Sequence, residues 1–189
     1  MDLLVATDPR WLKVVMSDID SFLLDHANCE RKASALAMSL VVKYPDRHGV
    51  VAGLIDLARE ELDHFGQLYQ VLRGRGLTPA KDVPDPYINQ LLDQARHGRD
   101  ERFIDRMLIS SVVECRGAER FGLLAEGLPD AGLRSLYRDL WKSEIKHGHQ
   151  FVQLLLTECD ESVVYPRLHE LLEKEASIVR GLKLRPALH

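Results

Sequence analysis

The sequence has few of the features that mark secreted, zinc-binding or membrane proteins. Its 189 residues include three cysteines, Cys29, Cys115 and Cys159, which are too few and too scattered for a disulfide framework. No Cys-x-x-Cys pair is present, which removes the usual zinc and redox motifs. No apolar run is long enough to span a bilayer, and no basic segment leads into an apolar stretch at the N-terminus. We therefore expect a soluble, cytoplasmic protein with reduced cysteines and no membrane partner.

Strict alternation of apolar and polar residues, the pattern of half-buried strands, is also scarce. Apolar residues recur at helical spacing almost throughout the chain, which predicts an all-α protein. The length fits one compact domain, and we expect residues 1–189 to form it.

Four long helices, called A to D here, are predicted together with shorter segments. The expected bounds are Asp18 to Tyr44 for helix A, an N-cap at Asp46 and an end near Arg73 for helix B, Asp100 to Glu126 for helix C, and Ala131 to Leu156 for helix D. A short turn near Pro9 comes first, and a final helix from Ser162 to Arg180 comes last. The segment from Leu77 to Gly98 is predicted to be a long crossover carrying one small helix, Pro86 to Arg96.

One pattern of carboxylate and imidazole residues occurs twice, once in each half of the chain. A glutamate is followed about thirty residues later by Glu-x-x-His, and the spacing of three puts that Glu and His on one side of one helical turn. Two such sets on apolar helix faces make a complete ligand shell for two metal ions inside a four-helix bundle. The candidate ligands are Glu30, Glu61 and His64 in the first half, and Glu114, Glu144 and His147 in the second.

Charge gives a physical reason for the metals. Four ionised glutamates cannot share a protein core without compensation, because desolvation and mutual repulsion would protonate them or unfold the bundle. Two divalent cations remove that conflict, and a set of four carboxylates and two imidazoles favours iron or manganese. A single Glu-x-x-His is weak evidence, since most such pairs lie on solvated surfaces, but two on apolar faces predict a dinuclear site.

The residues around these motifs resemble the MiaE family of ferritin-like di-iron carboxylate proteins. The resemblance is carried by the stretches Asp25 to Ala33, Glu60 to Phe65, Glu114 to Phe121 and Ser143 to His149. It implies a ferritin-like four-helix bundle with a long B–C crossover and additional short helices. It also implies a tRNA hydroxylase acting on the isopentenyl group of 2-methylthio-N6-isopentenyl adenosine next to the anticodon. Two iron ions, O2 as co-substrate and an external electron-transfer reductase follow from the same resemblance, with no catalytic side chain beyond the metal ligands.

Three residues near the motifs have roles that the sequence leaves open. His26 lies four residues before Glu30 and could approach the site, although a histidine there is more often a hydrogen-bonded core residue. Related monooxygenases often have Asp just before the Glu of each Glu-x-x-His, where it orients a histidine, and those positions here are Glu60 and Ser143. We therefore expect the two ligand histidines to have different support.

The sequence gives little direct support for contacts with RNA. The net charge is −4, although four glutamates neutralised by metals would bring the remaining side chains to zero. The candidate phosphate contacts have an alternative interpretation, which is a solvated helix face whose positive charge is balanced by Asp100, Glu101 and Asp105. These candidates are Arg96, Arg99, Arg102, Arg106, Lys142 and Lys146.

Three other functions remain open on the sequence alone. A ferritin-type bundle would oxidise and store iron, and a rubrerythrin-type enzyme would reduce peroxide, although the absent Cys-x-x-Cys removes the usual rubredoxin centre. A helical interaction module would need no metal. The sequence also leaves open the oligomeric state and the choice between iron and manganese.

Overall fold

The computed structural model describes residues 2–79, 81 and 83–189. Within those residues every regular element is an α-helix, which confirms the predicted all-α class. None of the helices described there is long and apolar enough to cross a membrane. The helices are α1 Trp11–Ser17, α2 Ile19–Lys43, α3 His48–Gly74, α4 Pro86–Leu92, α5 Arg99–Gly127, α6 Ala131–Leu156 and α7 Glu161–Gly181.

The long helices begin and end within two residues of their predicted bounds, but the predicted N-cap of α3 is wrong. Asp18 caps α2 as its bounds imply, because its side chain accepts a hydrogen bond from the backbone N–H of Ser21. Asp46 does not cap α3, which begins after Arg47 and has no side-chain cap hydrogen bond. The N–H of Arg47 donates to the carbonyl of Tyr44 at 3.1 Å, so Asp46 lies inside the turn that closes α2.

The short elements differ more from expectation. The segment near Pro9 leads into the seven-residue helix α1 rather than a turn alone. Helix α4 ends at Leu92, four residues before the predicted end at Arg96. The reason is a distant carboxylate: Asp105 accepts the backbone N–H of Arg96 at 2.8 Å and draws the chain away from the helical path.

Residues 13–84 and 184–188 form one compact unit. Helices α2 and α3 pack together in it, with apolar side chains such as Leu23 and Leu68 fully buried. Ser34 Oγ of α2 donates to the carbonyl of Ala58 on α3 at 2.7 Å. The backbone N–H of Leu188 donates to Asp25 of α2 at 2.7 Å, so residues 184–188 contact this helix.

Residues up to Leu12 form a second unit with residues 85–183 and 189. Helices α5 and α6 pack closely in it, because Gly148 of α6 has no side chain: an added Cβ would lie 2.5 Å from Cys115 Sγ. Ser111 Oγ of α5 donates to the carbonyl of Gly148 at 2.6 Å. Whether residues 1–189 behave as a single domain stays a prediction.

A buried ionic cluster joins the N-terminal segment to α5 and α7 within this second unit. Arg116 is fully buried and donates to Glu175 of α7 at 2.8 and 3.1 Å, to the carbonyl of Val5 at 2.7 Å, and to Glu119. Burial lowers the pKa of Arg116, but the pairing with Glu175 and Glu119 outweighs it and raises the pKa overall. The charged Arg116 therefore links the N-terminal segment, α5 and α7 through hydrogen bonds and ion pairs.

Candidate metal centre

The first half of the predicted ligand set comes together on α2 and α3. His64 Nδ1 lies 3.5 Å from Glu30 Oε2 and 3.6 Å from Glu61 Oε2. The three residues are nearly inaccessible, with exposed fractions of 4% for Glu30, 3% for Glu61 and 7% for His64. We call this set the N-terminal half-site. The spacing of three on α3 puts Glu61 and His64 on the face that meets Glu30.

His26 supports the N-terminal half-site from one turn earlier on α2. Its imidazole is fully buried, and Nε2 lies 2.5 Å from Glu30 Oε1. The two oxygens of Glu30 therefore face different partners, His26 on one side and His64 on the other. With Nε2 as the donor, His26 fixes the orientation of the Glu30 carboxylate, as outer hydrogen-bond partners of metal ligands commonly do.

The second half of the ligand set is built around α6. Glu144 is 2% exposed and His147 is fully buried, and His147 Nδ1 lies 3.3 Å from Glu144 Oε2. The same face of α6 buries Leu140 and Phe151 on either side of this pair. With Glu114 of α5, these residues make up what we call the C-terminal half-site.

Glu114 is less enclosed than the other candidate ligands. It lies on α5 and is half-buried, whereas the sequence pattern predicted an inward carboxylate. Its neighbour Cys115 packs against α6 at Gly148, and burial raises the pKa of the Cys115 thiol to about 11. That thiol is protonated at neutral pH, so it is not one of the anionic groups near the half-site. The role of Glu114 as a ligand stays a prediction.

The environments of the two ligand histidines can be compared in part. Ser143 Oγ lies 3.5 Å from Nε2 of His147, one turn along α6. At the matching position of α3 the residue is Glu60, a half-buried carboxylate. A hydroxyl and a carboxylate differ in charge and hydrogen-bonding capacity. The expectation that the two histidines have different support stays a prediction.

The donor atoms within each half-site fit a shared metal ion. Two ligands bound about 2.1 Å from one ion, at angles of about 90–120°, lie roughly 3.0–3.6 Å apart. The oxygen-to-nitrogen separations of 3.3, 3.5 and 3.6 Å fall in that range. Carboxylate oxygens and imidazole nitrogens suit iron or manganese. The N-terminal half-site and the Glu144–His147 pair therefore have donor types and spacing that are compatible with such an ion.

The candidate phosphate contacts are not all available for RNA. Arg96 donates to the buried Asp105 at 2.8 and 3.0 Å, and Arg167 of α7 donates to the same carboxylate at 2.9 Å. Arg96 therefore belongs to an internal ion pair. Lys142 contacts Asp139 at 3.2 Å, but both side chains are about 70% exposed, so that pair is weak.

The internal charged clusters leave no sign in the sequence. Two such clusters are present: Arg116 pairs with Glu175, and Asp105 pairs with Arg96 and Arg167. Glu119 is also paired with Arg116. Partners 59 residues apart, as in Arg116 and Glu175, leave no local pattern to detect.

A protein-family model described as "tRNA-(MS[2]IO[6]A)-hydroxylase (MiaE)" matches residues 2–189. The chain belongs to the MiaE family. Two proteins named tRNA 2-(methylsulfanyl)-N(6)-isopentenyladenosine(37) hydroxylase are each 31% identical to it. The one from Pseudomonas putida aligns over 82% of this chain and 76% of its own length, and the one from Salmonella typhimurium over 79% and 70%.

A solved structure extends the likeness to the fold. It is named "Protein 43 with aldehyde deformylating oxygenase activity from Synechococcus", with 34% sequence identity and a TM-score of 0.92. The match covers 99% of this chain and 94% of that one. The ferritin-like all-α fold implied by the MiaE resemblance is confirmed. As a MiaE-family member, the chain is an oxygen-dependent hydroxylase.

Proposed function

We propose that this protein hydroxylates the isopentenyl group of 2-methylthio-N6-isopentenyl adenosine beside the anticodon of tRNA, using O2 and two external electrons. The observation that carries the proposal is the doubled Glu and Glu-x-x-His pattern, with Glu30, Glu61, His64, Glu144 and His147 buried as metal ligands require. The substrate is inferred from family membership, because two relatives with 31% identity are named as hydroxylases of this nucleoside.

The chain's own residues hold and shield the proposed metals. Glu30, Glu61 and His64 would hold one iron ion, and Glu114, Glu144 and His147 would hold the other. When bound, the iron pair supplies the activation of O2 that no protein side chain can provide. His26 holds Glu30 in one orientation, so the carboxylate does not have to reorganise when the ion binds.

The surroundings of the half-sites keep water and side reactions away. Leu57 and Leu68 on α3, and Leu140 and Phe151 on α6, are buried at positions flanking the ligands. A low-dielectric site strengthens the attraction between the carboxylates and the cations. No protein nucleophile is required, since the oxygen atom and the electrons come from outside the chain. We propose an electron-transfer reductase as the donor, and the tRNA substrate indicates the cytoplasm as the compartment.

The direct test is incubation of iron-loaded protein, O2 and a reducing system with tRNA bearing the isopentenyl group. We expect the modified nucleoside to gain one oxygen atom by mass spectrometry. Loss of product in Glu61→Ala, a variant that removes one proposed ligand, would link the reaction to the metal site. An iron-loaded, reducible protein that leaves the nucleoside unchanged would contradict the proposed substrate.

A second candidate reaction is aldehyde deformylation, the activity for which the Synechococcus protein is named. It is favoured by 34% identity over nearly the whole chain, a likeness as strong as that to the tRNA hydroxylases. Aliphatic aldehydes in place of tRNA separate the two, because deformylation releases a one-carbon product. Iron storage of the ferritin type would instead require a very large oligomer on size exclusion, and peroxide reduction of the rubrerythrin type would consume peroxide without any tRNA.

A further inference from the structure

A pocket of about 330 Å³ lies on the second unit, bounded by the N-terminal segment, α5 and α6. Its volume falls within the range of small-molecule sites. On α6 the lining residues are Trp141, Ile145 and His149, each one turn after the last. None of the six candidate metal ligands lines the pocket. The pocket is therefore lined by residues other than those proposed to hold iron, although Cys115 and Ile145 directly follow Glu114 and Glu144 in the chain.

Trp141 contributes an aromatic side chain to the lining of the pocket. Its indole lies against Gly122 of α5, where an added Cβ would be 3.2 Å from Cε2 of the ring. The missing side chain at Gly122 lets the ring pack against the helix. Aromatic faces are the surfaces on which single-stranded nucleic acids stack their bases, with little preference for which base.

Polar groups of the pocket suit a base with an exocyclic amino group. Asp2 contributes a carboxylate, and His149 contributes an imidazole. A carboxylate accepts hydrogen bonds from the amino groups of adenine or cytosine. Glu119, which also lines the pocket, already accepts from the backbone N–H of Thr7 at 2.8 Å. The pocket thus combines a stacking surface with a hydrogen-bond acceptor.

A row of cations follows the same stretch of α6. Arg138, Lys142 and Lys146 are exposed and spaced four residues apart, so they form one ridge on the helix surface. Asp139 is the one acidic residue among the exposed positions between Arg138 and Lys146. An aromatic pocket beside a cationic ridge is the combination that binds single-stranded RNA.

We infer that the outer face of α6 docks the anticodon loop: the ridge of Arg138, Lys142 and Lys146 binds phosphates, and an unmodified base next to the substrate nucleotide stacks on Trp141. This inference rests on the proposed function. The ligand pair Glu144 and His147 lies on the buried face of α6, so roughly the thickness of one helix, about 10–12 Å, separates it from the ridge. A neighbouring base, rather than the base being oxidised, suits that separation.

The ridge is tested by the salt dependence of binding. The probe is an unmodified anticodon stem-loop carrying a fluorophore, titrated with the full-length protein at several salt concentrations. In Lys142→Gln/Lys146→Gln, we expect weaker binding and a slope of log K against log salt that is smaller in magnitude by about 1–2. The matched control is Lys174→Gln/Lys183→Gln, which changes the same charge on exposed lysines of the same unit and should bind like the wild type.

The pocket is tested by changing only the aromatic face. Trp141→Leu should weaken RNA binding about fivefold or more, with the salt slope unchanged, because base stacking on an aromatic side chain contributes at least about this much. Trp141→Phe keeps a ring and should recover most of the affinity. If Leu and Phe bind equally well, stacking is excluded. Circular dichroism of each variant separates a loss of binding from a loss of fold.

Two outcomes overturn this docking surface while leaving the proposed function intact. The first is hydroxylation by the wild type with RNA affinities that Lys142→Gln/Lys146→Gln and Trp141→Leu do not change. The second is slower electron delivery in the lysine variant with unchanged RNA affinity, which would make the ridge a site for an acidic reductase. Failure of the proposed function differs from both, because the wild type would then leave the modified nucleoside unoxidised, whatever its affinity for the stem-loop.

Discussion

At the scale of single residues, the metal-site hypothesis depends on carboxylates that the protein keeps in its core. Glu144 is 2% exposed beside the fully buried His147. Burial of a carboxylate is costly unless a cation or several donors compensate for it. In the proposed function, a bound cation would supply that compensation for Glu144.

Replacing a proposed ligand should remove metal without removing the fold. In Glu144→Gln we expect iron content to fall by about half or more, and hydroxylation to be lost, because the amide is a poorer ligand for a hard cation. Metal analysis of purified protein measures this directly. Asp139→Asn is the matched control, since it removes a negative charge from the exposed face of the same helix and should retain iron. Equal iron content in the two variants would exclude Glu144 as a ligand.

His26 should matter for metal affinity although it is not a proposed ligand. Removing its hydrogen bond in His26→Ala frees the Glu30 carboxylate, and loss of such outer partners commonly costs about 10–100-fold in metal affinity. Competition with a chelator gives the iron affinity of each variant. His169→Ala, on the exposed face of α7, is the control and should bind like the wild type. Unchanged affinity in His26→Ala would show that Glu30 needs no support from His26.

At the scale of the helices, Asp105 fixes where the crossover between α3 and α5 ends. Arg96 and Arg167 both donate to its buried carboxylate, and Arg167 also donates to the carbonyl of Gln94 at 2.7 Å. Burial alone would raise the pKa of Asp105, but the hydrogen bonds from Arg167 and Arg96 outweigh it and hold the pKa below its ordinary value of 3.8. The ionised carboxylate thus stabilises the fold.

Asp105→Asn should therefore lower stability at neutral pH by about 1–3 kcal/mol, because it leaves the largely covered Arg167 and the partly exposed Arg96 without their anion. The contribution of Asp105 is fully present above the unfolded pKa and is lost as the pH falls through the depressed folded pKa. The difference in unfolding free energy between wild type and variant should shrink below about pH 4. Denaturant titrations at several pH values measure it. A difference that stays constant with pH would contradict the ionic explanation.

Sequence reasoning succeeded for the elements whose limits are encoded locally. Tyr44–Pro45 ends α2 because the residue before proline disfavours the helical region, and Gly127 with Pro129 separates α5 from α6. It failed where a distant group decides the backbone. The end of α4 depends on the hydrogen bond from the backbone N–H of Arg96 to Asp105, nine residues later. No local sequence pattern predicts that hydrogen bond.

The candidate site was more predictable than the loops. The spacing of each Glu-x-x-His places its two members on one helical face, and burial confirms that both faces are internal. The role of His26 could not be decided, because a histidine four residues before a glutamate is common in helices without metals. Its full burial and its contact with Glu30 are properties of the packed structure.

At the scale of the whole molecule, net charge is a poor guide to the RNA partner. The chain carries −4 overall, yet four acidic residues are proposed ligands and the exposed face of α6 is cationic. Docking depends on how charge is distributed and not on its sum. We therefore expect binding of the anticodon stem-loop to weaken steeply with salt despite the acidic composition.

The central claim is that this chain inserts oxygen from O2 into the prenyl group of a tRNA nucleoside at a di-iron centre. The most direct test supplies isotopically heavy O2 to the iron-loaded, reduced wild type and measures the mass of the nucleoside product. We predict that the added atom is heavy oxygen, and that Glu144→Gln gives no product. A product that carries ordinary oxygen from water, or equal turnover by Glu144→Gln, would contradict the account.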